Sequence, residues 1–265
     1  MNLVSITSGS SGNCIYVGSD NTHVLVDVGI SGKRIEQGLN DIGISASELS
    51  GIMITHEHAD HIQGLGVILR RYGIPIYATK GTIEGIFESK GIGEIPRELF
   101  TEIKADECFR VNDLTINPVK ISHDAKEPVA YRIDNNNKSI GVCTDLGVYD
   151  DYIVDDFKGV NAILLEANHD VNMLQVGRYP YPLKRRILSD KGHLSNENSG
   201  KLLCELLHDD LSTILLGHLS EENNLAELAY ETVRLEIMMH ECKYRPEDFE
   251  LLVASRSKMS KKIAV

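Results

Sequence analysis

Residues 52–61 read Ile52-Met53-Ile54-Thr55-His56-Glu57-His58-Ala59-Asp60-His61. An apolar run with strand character here leads into four side chains that can bind a metal: His56, His58, Asp60 and His61. In extended chain alternate residues point the same way, so His56, His58 and Asp60 are expected to project together into one pocket. His61 then starts the turn into Gly64-Leu65-Gly66, where an apolar, helix-like stretch begins. Borderline cations such as zinc favour imidazole nitrogen and carboxylate oxygen. Histidines also cluster by accident or in terminal tags, but neither has a strand delivering them.

Upstream, Leu3–Thr7, Cys14–Val17 and Val24–Asp27 read as strands, with a polar turn at Ser19-Asp20-Asn21. The loop Ser8-Gly9-Ser10-Ser11-Gly12-Asn13 could cradle a phosphate through its backbone N–H groups. It precedes a strand and lacks the P-loop lysine, so a plain β-turn is the better reading. Asn13 at its end can still reach a site by its side chain. Asp27, at a strand end before Val28-Gly29, is either a carboxylate supporting the site from behind or a turn cap. Ser31 is expected to cap a helix through Ile35, Leu39 and Ile42 that stops at Gly43.

Downstream, the pattern predicts a helix over Leu65–Tyr72, a short strand at Pro75–Ala78 and a helix from Thr79 or Thr82 to Gly91. From Glu107 to Cys143 it alternates as strands, with hairpin turns at Asn112-Asp113 and Asn135-Asn136-Asn137. Strands follow at Ala162–Glu166, Thr213–Leu216 and Leu251–Ala254. Between them lie a helix capped by Ser195 and an amphipathic stretch from Leu225 to Glu241. Both halves begin with strands and later add helices, the pattern of two mixed sheets packed face to face with helices outside. No linker or repeat interrupts the chain, so one domain over residues 1–265 is the simplest organisation.

With 265 residues there is ample length to bury a large core. The 27 Lys and Arg against 39 Asp and Glu give a net charge of −12. Such a field repels nucleic acid and anionic membranes overall, so an anionic substrate must be met by a local basic patch. No apolar segment is long enough to span a bilayer and the N-terminus has no signal-peptide pattern, which points to the cytoplasm. The five cysteines are odd in number and form no CxxC pair, so all are expected to be buried, small apolar residues.

Three further predicted strand ends carry ligand-type residues. His123 follows Val119–Ser122, Asp145 follows Ile140–Thr144, and His218 follows Ile214–Gly217. In open α/β architectures functional groups collect beyond strand C-termini, where loops aim side chains into a crevice. A lone histidine of this kind is ordinarily a core or surface residue. Three such residues in succession after a local histidine cluster favour a shared site.

At these residues the chain resembles the metallo-β-lactamase superfamily of metallohydrolases over nearly its whole length. Asp27 matches the first motif of that superfamily and His56-x-His58-x-Asp60-His61 the second. His123, Asp145 and His218 match the third, fourth and fifth. The resemblance implies a four-layer αββα sandwich of two mixed sheets flanked by helices, an α/β (α+β) fold with two divalent metal ions. His56, His58 and His123 would hold one, Asp60, His61 and His218 the other, and Asp145 would bridge them, with Asp27 orienting the cluster from behind. An N/O ligand set without thiolate suits zinc best and is compatible with manganese. A true β-lactamase is disfavoured, since it is exported and commonly carries cysteine where this chain has Asp145.

Two further stretches separate acyl hydrolases from phosphodiesterases. Glu166-Ala167-Asn168-His169-Asp170 and Gly192-His193-Leu194-Ser195-Asn196 resemble loops of the RNase Z branch. By that resemblance His193 would protonate the leaving oxygen, Glu166 would orient it, and Asp60 would take the proton of a metal-bridging hydroxide's parent water. For His193 the bland reading is a neighbour of the Ser195 cap, and His169 is a candidate to line the pocket or contact phosphate. The segment Arg178-Tyr179-Pro180-Tyr181-Pro182-Leu183-Lys184-Arg185-Arg186 concentrates positive charge and aromatic rings in an acidic protein. It reads as an exposed loop, either solubilising or able to meet phosphates through Arg178, Lys184, Arg185 and Arg186 and to stack on bases. The tail residues Arg256, Lys258, Lys261 and Lys262 could extend that track or fray.

More narrowly, the chain resembles the WalJ (YycJ) family of Gram-positive bacteria. The matching pieces are Ser8–Asn13, Thr55–Val67 and Lys184–Asn196. The resemblance implies a 5′-to-3′ exonuclease on double-stranded DNA, associated with coordination of replication, division and cell-wall homeostasis. One departure from larger nucleases is the modest segment between Asp145 and His218, which leaves no room for an inserted β-CASP domain. A small phosphodiester such as a cyclic phosphate or nucleotide therefore stays open as substrate. An acyl hydrolase of glyoxalase II or lactonase type and a metal-bearing regulatory partner are the rivals from other classes.

Overall fold

The central strands of this chain are apolar on both faces, and the two faces serve different cores. In the computed structural model, which describes residues 1–265, β1 (Asn2–Thr7), β2 (Cys14–Gly18), β3 (His23–Val26), β4 (Leu49–Met53), β5 (Ile76–Thr79) and β6 (Phe100–Ile103) lie side by side in that order. β7 (Phe109–Val111), β8 (Leu114–Lys120), β9 (Val129–Asn135), β10 (Lys138–Cys143), β11 (Ala162–Glu166), β12 (Thr213–Gly217) and β13 (Glu250–Val253) form a second sheet. β14 (Ile263–Ala264) returns to the first sheet and pairs antiparallel with β1.

Each sheet is half antiparallel and half parallel. β1–β3 and β7–β10 are antiparallel, whereas β3–β6 and β10–β13 are parallel. Parallel neighbours need crossover connections. These are α1 (Gly32–Asp41), then α2 (Ala59–Ile62) with α3 (Leu65–Tyr72), and α4 (Lys80–Glu88) on the first sheet. On the second they are α5 (Asp151–Phe157), then α6 (Val171–Val176), α7 (Tyr181–Ile187) and α8 (Asn196–Leu206), and finally α9 (Ala226–Met239). No helix is long and apolar enough to cross a membrane.

The period of two along each strand sorts the side chains. Leu3, Ile15, Val24, Val26 and Met53 of the first sheet meet Ile133, Val142, Leu164 and Leu215 of the second in the central core. Their neighbours Val4, Ile6, Leu25 and Ile52 turn outward onto Ile35, Leu39 and Ile68. Ile163, Leu165, Ile214 and Leu216 turn outward onto Leu202, Leu203 and Val233. The result is the αββα sandwich.

Several expectations need correcting. Asp60 and His61 lie on the short helix α2, whose N-cap is His58, so the extended backbone ends before Asp60. The segment around Arg178–Arg186 is largely helix α7, because Pro180 and Pro182 preset the helical entry and Ile187 is buried beneath it. The basic tail does not fray: Ser260 N donates to Ser5 O at 2.9 Å, Ser5 N donates to Ser260 Oγ at 3.0 Å, and β14 closes the sheet edge. Of the cysteines, Cys14, Cys143 and Cys204 are buried, but Cys108 is exposed and Cys242 half-buried. β6 escapes the pattern because an edge strand with exposed Thr101 and Glu102 has no alternating apolar face.

The two sheets are joined where the histidine loop leaves β4. Tyr131 on β9 donates its hydroxyl proton to the Ile54 carbonyl at 2.8 Å, and Val129 N donates to Thr55 O at 3.0 Å. Tyr131 is fully buried. Replacing it by phenylalanine leaves that carbonyl without its side-chain donor, at a cost of about 1–3 kcal/mol. A urea titration of Tyr131→Phe is expected to show a lowered midpoint at unchanged slope, and an unchanged midpoint would exclude this clamp.

Candidate metal centre

Every residue singled out as a ligand lies at one end of the sandwich. Asp27 follows β3 directly, residues 55–61 follow β4, Asp145 lies just past β10 and His218 directly follows β12. Asp27 (φ 61°), Asp145 (φ 59°) and His218 (φ 53°) all have left-handed backbone. That region is unfavourable for non-glycine residues and costs on the order of 1–3 kcal/mol each. The turns aim these side chains off the strand ends and into the gap between the sheets. Gly29 allows the chain after Asp27 to lie against α2, since a Cβ there would come within 1.6 Å of the Asp60 carbonyl oxygen.

His56, His58 and His123 form one group, with His123 Nε2 3.3 Å from His58 Nδ1. Asp60, His61 and His218 form a second, where Asp60 Oδ2 is 3.5 Å from His61 Nε2 and 3.4 Å from His218 Nε2. Asp145 sits between them. Its Oδ2 is 3.1 Å from His61 Nε2, and its Oδ1 is 3.6 Å from both His123 Nε2 and His218 Nε2.

The opposite ring nitrogens are held by protein. His61 Nδ1 meets Asp27 Oδ2 at 2.7 Å, His56 Nδ1 meets Thr55 Oγ1 at 3.0 Å, His123 Nδ1 meets Gly192 O at 3.1 Å and His218 Nδ1 meets Glu166 Oε1 at 2.7 Å. Holding one nitrogen of each ring turns the other inward, as at metal-ligating histidines. His56 Nε2 and Asp145 Oδ2 are buried and make no hydrogen bond. Asp145 Oδ2 is close to His61 Nε2 without the alignment of a bond, as two donors aimed at one ion would be. An N/O donor set that converges in this way fits divalent metal.

Charge supports the same fit. Burial pushes His56 and His123 below the ordinary imidazole value, which leaves them neutral as ligands must be. Burial also opposes charge on His61, but Asp145, Asp27 and Asp60 outweigh it and hold it well above that value. His218 is likewise raised to about 10 by Asp145, Asp60 and Glu166 against its burial. Asp60, despite burial, is held far below the usual carboxylate range by His61 and His218. Carboxylates at this end thus call for positive charge, which protons on His61 and His218 or a divalent ion in their stead can supply.

Glu166, at the end of β11, is fully buried and fully used. Its Oε1 accepts from His218 Nδ1 and, at 2.8 Å, from His193 Nδ1. Its Oε2 accepts from Leu146 N at 2.9 Å and Leu194 N at 3.2 Å. Burial would raise its pKa, but His193 and His218 bring it down to about 2. Glu166 in turn raises His193 against the effect of burial. His193 Nδ1 lies 3.6 Å from Asp145 Oδ1 and its ring lies between those of His123 and His218.

A model of the beta-lactamase superfamily domain matches residues 22–212. Exodeoxyribonuclease YycJ of Bacillus anthracis is 41% identical over 228 residues, 86% of this chain and 86% of that protein. The chain belongs to this superfamily and to the YycJ/WalJ family within it. Exodeoxyribonuclease WalJ of Streptococcus pneumoniae is 40% identical over 86% of this chain and 85% of its own length. Among solved structures, the metallo-β-lactamase fold protein YhfI from Bacillus subtilis superposes with a TM-score of 0.71 at 16% identity over 98% of each chain, which speaks to the fold alone.

In this family member the other expected residues are distributed unevenly. Asn13 reaches the cluster: Nδ2 is 3.2 Å from His61 Nε2 and also donates to Gly9 O, while Oδ1 accepts from Gly9 N and Ser8 Oγ. The Ser8–Asn13 loop is a hydrogen-bonded turn, with Gly12 N donating to Gly9 O at 3.0 Å. His169 is buried with neither ring nitrogen hydrogen-bonded, and burial lowers its pKa to about 4. Lys184 Nζ donates to the carbonyls of Gln175 and Gly177. Arg186 pairs with Asp124 through two nitrogens, and Arg178 and Arg185 are exposed.

Three contributors were not singled out from the sequence. Thr55 donates its N–H and hydroxyl to Asp27 at 2.9 and 2.8 Å, with its oxygen near both His56 and His61. Its position directly before the first histidine was the available signal. Ser8 Oγ accepts from His218 N at 2.8 Å, a contact spanning 210 residues that nothing local announces. Asp124, next to His123, has Oδ1 3.4 Å from His123 Nε2. Because Asp27 is buried and carries three hydrogen bonds from Thr55 and His61, Asp27→Ala is expected to cost about 3–5 kcal/mol. Thermal melting by circular dichroism would show it, and a melting point within a degree of the parent would rule the role out.

Proposed function

We propose that the chain is a divalent-metal-dependent phosphodiesterase, a 5′-to-3′ exonuclease that degrades double-stranded DNA. The observation that carries this reading is the Glu166–His193 pair beside the His/Asp cluster, in a chain 40–41% identical to proteins named exodeoxyribonucleases. Direction and duplex preference follow the WalJ (YycJ) resemblance noted in the sequence. Phosphodiester cleavage expels an alkoxide, and general acid catalysis of such a step contributes typically 10²–10⁴-fold. A thioester leaving group needs far less help, so an acyl hydrolase has little use for this pair.

His56, His58 and His123 would hold one ion and Asp60, His61 and His218 a second, with Asp145 shared, zinc being the best match and manganese compatible. When bound, such ions polarise the phosphate and lower the pKa of water towards ~7. Asp60 would take the proton of the attacking water while serving as a ligand. Glu166 Oε1 fixes Nδ1 of His193, so that the remaining nitrogen can donate to the departing oxygen. The same carboxylate oxygen fixes His218, which ties the acid's orientation to the cluster. Arg178, Arg185 and Arg186 meet phosphates from α7 and its approach, and Lys184 holds the turn that presents them. Asn13 braces His61 from the Ser8–Asn13 loop, and buried His169 would line the pocket or contact phosphate.

His193→Ala is expected to lower turnover on 5′-phosphorylated duplex DNA by 10²–10⁴-fold while metal content, measured by elemental analysis, stays at the parent level. An acyl hydrolase would keep its esterase activity in that variant, and retained DNA turnover would sink the acid role. Chelation is expected to abolish DNA degradation and lower the melting temperature, both restored by zinc or manganese. A ligand at 1,000 times its Kd stabilises by about 4 kcal/mol, so an unchanged melting temperature would argue against a bound metal.

A further inference from the structure

A chain without an inserted gripping domain must hold a polymer with its own surface. Beside the His/Asp cluster a groove of about 460 Å³ is lined by His123, Lys120, Lys126, Lys191, Val148 and Tyr152. That size lies within the range of ~300–1,000 Å³ for ligand clefts. All three lysines are exposed. Lys126 pairs with Glu88 at 2.7 Å, whereas Lys120 and Lys191 have no carboxylate within ion-pair distance. Asp150 also lines the groove, but its carboxylate accepts from Ile153 N at the start of α5.

The walls are fixed to the cluster. Ser122 Oγ donates to Asp190 O at 2.6 Å, Gly147 N donates to Ser122 O at 2.8 Å and His123 Nδ1 lies 3.1 Å from Gly192 O. Lys191 is therefore held between two contacts that bind its loop to the His123 loop. Lys120 is anchored by its own N–H, which donates to the Tyr152 hydroxyl at 2.9 Å. Arg186, on the helix leading into the Lys191 loop, pairs with Asp124, whose Oδ1 is 3.4 Å from His123 Nε2. Unpaired cations on a rigid wall, in a protein of net charge −12, form the local basic patch that an anionic polymer requires.

We infer that this groove holds the phosphate backbone of a DNA strand beyond the scissile bond, with Lys120 and Lys191 each meeting a phosphate. The inference rests on the nuclease reading above. The salt dependence of DNA binding decides it, measured on the metal-loaded full chain with a 5′-phosphorylated duplex. Bis-p-nitrophenyl phosphate, too small to reach the groove, serves as parallel substrate. Each lost phosphate contact lowers the slope of log affinity against log salt by about 1. Lys120→Ala/Lys191→Ala is expected to lower that slope by roughly 2 and to weaken binding about tenfold at low salt, with unchanged turnover of the small substrate. Lys138→Ala, at the opposite end of β10, is expected to match the parent in both. A parental slope in the double variant, with DNA degradation intact, overturns the groove and leaves the nuclease reading standing. A parent that turns over the small phosphodiester but neither binds nor degrades DNA overturns both.

Discussion

Two buried carboxylates, one from each sheet, organise this end of the molecule. Asp27 at the end of β3 takes the N–H and hydroxyl of Thr55 and the Nδ1 of His61. Glu166 at the end of β11 takes the Nδ1 of both His193 and His218 together with two backbone N–H groups. Burying a carboxylate is tolerable only where such partners satisfy it. Each therefore turns imidazoles toward the gap between the sheets, and Asp145 stands between the two halves. The remaining architecture serves to bring those strand ends level.

The layering follows from elementary periodicity. β11 and β12 are buried on both faces, as parallel strands covered by helices must be, and their alternation allots side chains to the central or outer core. Left-handed backbone outside glycine occurs in hairpin and loop turns at Asp106, Asn112 and Asn136 and again at the cluster, at Asp27, Asp145 and His218. Packing and hydrogen bonds must hold these residues in conformations their own sterics disfavour. Local regularity is given up at the strand ends, where chemistry gathers.

Much of this was legible in the sequence. The strands and crossover helices are visible because both periodicities are strong, and the members of the cluster are visible because histidine and aspartate recur at strand ends. The helix bearing Asp60 was missed because four residues carry no period. α7 reads as a loop in the sequence because two prolines and a run of charge hide its single buried face. The Lys120–Lys191 groove was invisible for another reason: its walls come from β8, α5 and the loop after α7, and only tertiary packing brings them together. Ser8 against His218 is the same kind of fact.

That last contact carries a kinetic consequence. Asp60 meets His218 across 158 residues of sequence and Ser8 meets it across 210. Contacts of such separation are reached only after long stretches of chain have been brought into register, and topologies rich in them fold slowly. On a ribosome, where N-terminal segments fold first, β1–β6 of the first sheet emerge with His56, His58, Asp60 and His61 following β4, well before His123, Asp145 and His218 exist. For that interval the nascent chain carries only part of the His/Asp cluster. The centre matures only when the second sheet docks.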